Sequence, residues 1–315
     1  MAVPAVEVVV FTYNHEAFVE RALASVLSQR ADFGFTVRIH DDASTDGTVD
    51  AIRAALAATD IPWELVQAPT NQYAGGTSFY HEFIAATKAD FVAILDGDDY
   101  WVDDEKLNDQ VGMLVRSPTA ALCHHAVLEV VDGEPREVDW PPADFRHEIM
   151  PGIRLSDNNV ISSSSVVLRT SMFPRTMPVG YNELGVGDYP MWALASAGHD
   201  IAFIDRPMTA YRVHAANIFA SLDNATSFDR ELEARIYICN NVPEEFRAAW
   251  RQSMVMAVAY HSGVELQSAQ NQLEAARQET RRILGSTSWR VTAPLRAVVE
   301  RLRRQPSTEA GGSQE

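Results

Sequence analysis

Phe91-Val92-Ala93-Ile94-Leu95-Asp96-Gly97-Asp98-Asp99 runs from five apolar residues straight into three carboxylates within four positions. The apolar half reads as a strand covered on both faces, as the central strands of parallel sheets are. Upstream, Val6–Phe11 contains the equally unrelieved Val8-Val9-Val10-Phe11, and Phe35–His40 and Trp63–Gln67 complete a set of four such runs. Helical patterns fill the intervals. Phe18, Ala22 and Val26, with Val19, Leu23 and Leu27, make one apolar stripe. Val49, Ile52 and Leu56 make a second, with Ser44 or Thr45 as its N-cap, and Phe79, Phe83 and Ile84 a third after Gly75-Gly76. This alternation predicts an α/β fold with an open, mostly parallel sheet flanked by helices. In such a sheet ligands gather at the carboxyl ends of the strands, which is where the acidic clusters fall.

The pattern changes after a short helix through Leu107 and Val111. Strands are expected at Ala120–Val131, Val166–Arg169 and Ile201–Ile204, with a helix at Tyr189–Ala197 and the segment Tyr211-Arg212-Val213-His214 to follow. From Phe228 the chain reads as a helical extension, polar over 264–284, and Pro294 starts a last helix. The expected division is a catalytic domain over 1–220, a helical stalk over 221–284, a basic tail helix over 285–305 and a disordered end over 306–315.

Composition narrows the function. At 315 residues, 46% hydrophobic and 22% charged, the chain is globular, and no apolar run reaches the ~20 residues of a membrane span. The N-terminus lacks a basic stretch ahead of a long apolar one, so a cytoplasmic location is expected. Cys123 and Cys239 are too few for a disulfide framework. A net charge of −17 opposes binding to nucleic acid. Eight arginines against two glutamates give 277–304 a charge of +6 and leave −23 on the rest.

Three clusters carry chemistry. Carboxylates as close as Asp96, Asp98 and Asp99 repel unless a cation or hydrogen-bond donors hold them, and hard oxygen ligands favour Mg²⁺ or Mn²⁺ with a diphosphate; an acidic turn capping the next helix is the plainer alternative. Asp41-Asp42 can accept hydrogen bonds from a nucleobase or ribose, while Ser44, Thr45 and Asp46 can equally be helix caps. Thr12-Tyr13-Asn14 offers an aromatic face for a base, or a packed tyrosine. His124 and His125 alternate across a strand and so point to opposite faces.

Taken in this order, Phe11-Thr12-Tyr13-Asn14-His15 with Ala22–Gln29, Asp41–Thr48, and Asp96-Gly97-Asp98-Asp99 resemble the inverting family 2 glycosyltransferases of the GT-A fold. The resemblance continues more weakly through Gly187–Trp192 and Tyr211–His214. It implies transfer of a sugar from a nucleoside-diphosphate sugar to a hydroxyl of a saccharide or lipid-linked acceptor, in cell-surface polysaccharide synthesis. By matching position, Thr12, Tyr13, Asn14, Asp42, Asp96, Asp98 and His214 would contact the donor. Asp98 and Asp99 would hold a divalent cation, Mg or Mn. Asp188 would be the general base, although Gly187 stands where the family has a second acid. Without the resemblance, Asp188 reads equally as an N-cap and His214 as a surface residue.

Two other classes remain open. A phosphatase of the haloacid dehalogenase type also uses aspartates after strands, but its second acid would fall on Ala43. A non-catalytic scaffold could retain a degenerate front domain. The tail 289–304 places Leu295, Val298, Val299 and Leu302 on one helical face among arginines, suited either to peripheral contact with the inner face of the plasma membrane or to packing on protein, including a second copy. If the membrane role holds, the full chain will co-sediment with anionic vesicles in a salt-sensitive way, each Arg contributing about 1 kcal/mol, and a chain ending at Gly285 will not. Equal binding by both, or none by either, leaves packing or oligomerisation.

Overall fold

The computed structural model describes residues 5–73, 79–131, 133–138, 140–214 and 223–285. The tail 289–304, with the proposed segments 285–305 and 306–315, lies outside them apart from Gly285, as do Gly75-Gly76. The first half alternates as the sequence predicts: β1 (Val6–Thr12), α1 (Val19–Leu27), β2 (Phe35–Asp41), α2 (Thr48–Leu56), β3 (Trp63–Gln67), α3 (Phe79–Ala85) and β4 (Phe91–Asp96). There follow β5 (Tyr100–Trp101), α4 (Lys106–Arg116), β6 (Ala120–Val131), β7 (Glu134–Glu137), β8 (Ile149–Pro151) and β9 (Val167–Arg169). The order closes with α5 (Asp188–Ala195), β10 (Asp200–Val213), α6 (Asn224–Asn241) and α7 (Glu244–Gly285).

All ten strands join one sheet in the order β3-β2-β1-β4-β9-β6-β10-β5, with β7 added to β6 and β8 to β10. β3, β2, β1 and β4 pair in parallel, and so do β6 and β10. The short β9 sits antiparallel between β4 and β6. This mostly parallel sheet is covered on both sides, which explains the unrelieved apolar strands. Val8 and Val10 of β1 face a layer with Leu23 and Val26 of α1, Ile52 of α2 and Leu107 of α4, while Val9 and Phe11 face Phe79, Trp192, Ile238 and Trp250. Burial on both faces of β6 also takes His124 and His125 into the core, where neither opens to solvent.

One expectation changes. The N-cap position of α2 is Gly47 rather than Ser44 or Thr45: Asp46 Oδ1, one residue before it, accepts the Thr48 N–H (3.0 Å) and Thr48 hydroxyl (2.5 Å), while Ser44 turns back to Asp41. One compact unit runs through Met256 and a second begins at Ala257. The extent of the first follows from burial, since Ala234 and Ile238 of α6 and Trp250 of α7 belong to the core under α5. The rest of α7 leaves Tyr260, Leu266 and Leu273 exposed. Removing the Trp250 side chain should leave a cavity costing about 3–5 kcal/mol. Urea unfolding of Trp250→Ala measures it, and a loss under 1 kcal/mol would return α7 to the status of an appended stalk.

Candidate active site

The carboxyl ends of β1, β2 and β4 lie side by side because these strands pair in parallel register, Thr12 beside Asp41 and Phe11 beside Asp96. Three loops therefore meet at one edge. At the first, Thr12 is buried and its hydroxyl donates to His40 O (3.3 Å) and Asp41 Oδ1 (3.2 Å). Asn14 takes a left-handed φ of 53° and braces the second loop: its N–H donates to Ser44 Oγ (2.9 Å), and its Oδ1 accepts the Thr45 N–H (2.8 Å). Tyr13, between them, is 41% exposed. Of the three expected donor contacts at this strand end, Tyr13 and Asn14 are exposed and Thr12 is buried, and Asn14 also braces the second loop.

At the second loop the two aspartates divide their work. Asp41 is fully buried and accepts from Ser44 N–H and Ser44 Oγ–H as well as from Thr12. A carboxylate so enclosed is not an exposed phosphatase nucleophile. Asp42 accepts the backbone N–H groups of Gln72 (2.7 Å) and Tyr73 (3.1 Å), drawing the segment after β3 to the site and bringing the 39%-exposed Tyr73 beside it. Ala43 between Asp42 and Ser44 has φ 61°, a conformation that a non-glycine residue keeps only when its surroundings over-determine it.

The third loop carries the acid run. Asp96 accepts the Tyr80 hydroxyl (2.9 Å), and burial with the nearby Asp98 charge pushes its carboxyl up to about 7. Asp99, expected with Asp98 to hold a cation, is buried, its Oδ1 accepting the Arg212 N–H (2.9 Å) and its Oδ2 the Ser164 hydroxyl (2.7 Å). Burial, then the neighbouring Asp98 and Asp96, raise it well above the ordinary range. Asp98 is the open member. Its Oδ2 lies 3.2 Å from His214 Nε2 and 3.8 Å from His15 Nε2, and although burial opposes ionisation, the His214 hydrogen bond and the His15 charge hold its carboxyl below the usual value. No Cβ fits at Gly97, where it would meet Thr12 Cγ2 at 2.6 Å and His15 Nδ1 at 2.9 Å.

Asp188, the expected base, opens α5. Its Oδ1 accepts the N–H of Tyr189 (2.7 Å) and its Oδ2 the hydroxyl of Ser163 (3.3 Å), and burial raises its carboxyl above the ordinary range. The groups that sequence reading missed are Tyr80, Ser163, Ser164 and His15. Ser163 and Ser164 lie in a run of four serines, Ser162–Ser165, whose spacing carries no chemical signature. Arg212 lies in a quoted motif, yet its contacts depend on the fold: Nη1 donates to Asp98 O (2.8 Å), and the guanidinium lies 4.6 Å from the Tyr100 ring centroid and 5.2 Å from that of Phe18.

As a cation site, the edge offers Asp98 with His214 at its Oδ2, and among the described residues no three His, Cys, Asp or Glu side chains gather as a complete metal cage. One carboxylate and one imidazole fit a cation whose other positions go to water and diphosphate oxygens, the habit of Mg²⁺ and Mn²⁺ at phosphate sites.

Residues 7–173 match the family model for glycosyl transferase family 2, more than half of the chain. The chain belongs to glycosyl transferase family 2. An uncharacterised protein of Mycobacterium tuberculosis is 29% identical to this family 2 chain over 214 residues, 68% of this chain and 60% of that protein. The chain thus spans about three fifths of that relative's length. The UDP-Glc:alpha-D-GlcNAc-diphosphoundecaprenol beta-1,3-glucosyltransferase WfaP of Escherichia coli is 26% identical over 220 residues, 69% of this chain and 80% of that one. S. aureus TarS (1–349) in complex with UDP-GlcNAc superposes with a TM-score of 0.59 at 20% identity, covering 81% of this chain and 71% of that chain. The mannosyltransferase PcManGT from Pyrobaculum calidifontis, in complex with GDP-Man and Mn²⁺, does so with a TM-score of 0.60 at 16% identity, over 97% and 89%. These likenesses establish the GT-A fold.

The two neighbouring acids should separate by experiment. Asp98→Ala is expected to weaken Mn²⁺-dependent UDP binding about tenfold or more by calorimetry, with the melting temperature kept. Asp99→Asn, which disturbs two buried hydrogen bonds, is expected instead to cost about 1–3 kcal/mol of stability. The reverse pattern would return the cation to Asp99.

Proposed function

We propose that this family 2 glycosyltransferase acts by inversion, moving a sugar from a nucleoside-diphosphate sugar to a hydroxyl of a saccharide or lipid-linked acceptor, with a divalent cation at Asp98 and His214. The observation that carries the reading is the pairing of two acids of different character near one sheet edge: Asp98, just past β4, whose carboxyl is held below the ordinary range, and Asp188, at the start of α5, whose carboxyl is raised by burial, with Ser163 bonded to Asp188 and the adjacent Ser164 bonded to Asp99 beside Asp98.

In this reading Asp42, buried with both oxygens accepting backbone N–H groups, shapes the loop that receives the base, and Tyr13 and Tyr73 supply exposed rings beside it. A bound cation neutralises the charge that develops on the departing diphosphate. The acceptor oxygen bonds to the anomeric carbon from the face opposite the leaving oxygen, whose bond breaks with its electron pair going to the nucleoside diphosphate. Asp188 takes the hydroxyl proton. A single displacement of this kind inverts the anomeric centre. The WfaP name gives a lipid-linked acceptor for that relative, which supports a role in cell-surface polysaccharide synthesis here. No helix among the described residues is long and apolar enough to cross a membrane, so contact with such an acceptor at the inner face of the membrane would be peripheral.

A thermal-shift screen of UDP, GDP and their sugars with Mn²⁺ and Mg²⁺ tests the donor: at 100 times its dissociation constant a true ligand adds about 2.7 kcal/mol. Stabilisation by none of them sinks the reading. Asp188→Asn is expected to abolish turnover while donor binding persists. Because Asp188 must be ionised to accept a proton and burial raises its pKa, wild-type kcat should climb with pH through an inflection above the ordinary aspartate value of about 3.9. A flat profile, or equal loss of binding and turnover in Asp188→Asn, moves the base elsewhere, Glu183 first.

A further inference from the structure

We propose that the turn Ser162–Ser165 positions both sides of the transfer reaction, Ser163 orienting the Asp188 carboxylate and Ser164 orienting the acids at the end of β4; this rests on the glycosyltransferase reading above. The two hydroxyls belong to consecutive residues and point to different partners. Ser163 Oγ donates to Asp188 Oδ2 at 3.3 Å. Ser164 Oγ donates to Asp99 Oδ2 at 2.7 Å, accepts the Asp96 N–H at 3.1 Å, and lies 3.5 Å from Asp96 Oδ2. A hydroxyl has one proton, and the shorter contact sends it to Asp99.

The turn is held from beneath at several points. Ser164 O accepts Trp101 Nε1–H and the Thr209 hydroxyl, each at 3.1 Å, and Ser165 O accepts the amide of Gln110 at 2.8 Å. Ser165 Oγ closes back on Ser162 O at 2.6 Å, and the Ile94 N–H of β4 donates to Val166 O at 3.1 Å. Ser164 and Ser165 are fully buried, and Ser163 half-buried. Consecutive Cα atoms are held about 3.8 Å apart, so a displacement of the Asp99 side moves the Asp188 side with it. The base and the donor-side acids, more than eighty residues apart in sequence, thereby share one rigid support. Near-attack geometry is sensitive to shifts of about 1 Å, which gives such a support kinetic weight. Ser163 and Ser164 are positioning residues, since each acts through a carboxylate.

The test compares wild type with Ser163→Ala, Ser163→Thr and Ser164→Ala, reading nucleoside-diphosphate release from UDP-glucose, UDP-N-acetylglucosamine and GDP-mannose with Mn²⁺, alongside melting temperatures. Loss of a hydrogen bond to a charged group predicts about a tenfold fall in kcat for Ser163→Ala, with donor KM held within about twofold and activity restored in Ser163→Thr. Ser164→Ala should show the opposite split, donor KM rising about tenfold with a smaller change in kcat. Wild-type kcat in Ser163→Ala, no rescue by threonine, or one common split for both alanine variants would overturn the inference. Should the buried Ser164 variant fail to fold, the half-buried Ser163 pair still decides. Turnover of none of the three donors by wild type overturns the glycosyltransferase reading itself, whereas wild-type turnover with an indifferent Ser163→Ala overturns only the positioning role.

Discussion

A carboxylate taken out of water must be met by donors, and Asp99 is the point at which the chain meets that demand from three directions. Its two oxygens draw in the Arg212 N–H at the end of β10 and the Ser164 hydroxyl from the turn before β9, while its own segment leads into β5, which pairs with β10. These contacts join segments that lie 65 and 113 residues from Asp99 in sequence. Once Arg212 is so placed, its guanidinium lies near Tyr100 and Phe18, and Phe18 stacks on His214 at 4.6 Å. The imidazole facing Asp98 is thus set by a hydrogen bond to the acid next to it.

The β1 and β2 loops show the same economy at a different cost. Asn14 and Ala43 both adopt left-handed backbone, and Ala43 has no side-chain hydrogen bond to compensate. What holds it is the pair of acids before it: Asp41 fastens Ser44 behind, and Asp42 fastens Gln72 and Tyr73 in front. Strain of this kind persists at a site because neighbours enforce it. Reading Asp42 only as a base contact misses its share in building the loop that would receive the base.

The sequence makes the central strands legible because a parallel strand buried on both faces, such as β1 with Val8-Val9-Val10-Phe11, has few polar positions to confuse its reading; even the exposed edge strand β3 coincides with Trp63–Gln67, and β6 with Ala120–Val131, to the residue. What escapes it is long-range. β9 is three residues long and owes its antiparallel place between β4 and β6 to pairing partners far along the chain. The core role of Trp250 escapes for a similar reason: a 42-residue helix with mixed faces gives no local sign that its first turns pack under α5. At the site, composition marks Asp96, Asp98, Asp99 and Asp188 as candidates, but which oxygen faces solvent depends on Ser164 and Arg212, and no spacing encodes that.

Electrostatics then explains why three crowded acids suit an anionic ligand. A diphosphate would be repelled by a fully ionised Asp96-Asp98-Asp99 run, yet burial pushes Asp96 up to about 7 and raises Asp99 well above the ordinary range, with the Asp98 charge adding to both. Asp98 goes the other way, its ionised form favoured by His214 and His15. The ionised form is therefore most favoured on Asp98, which is flanked by two imidazoles and has Arg212 on its backbone carbonyl. Divergent environments for adjacent titratable groups are how a protein divides roles among identical side chains. On the proposed reading, the division leaves Asp98 as the anionic ligand, with Asp96 and the buried Asp99 as hydrogen-bonded supports, an arrangement that would suit a cation and the phosphate it would hold.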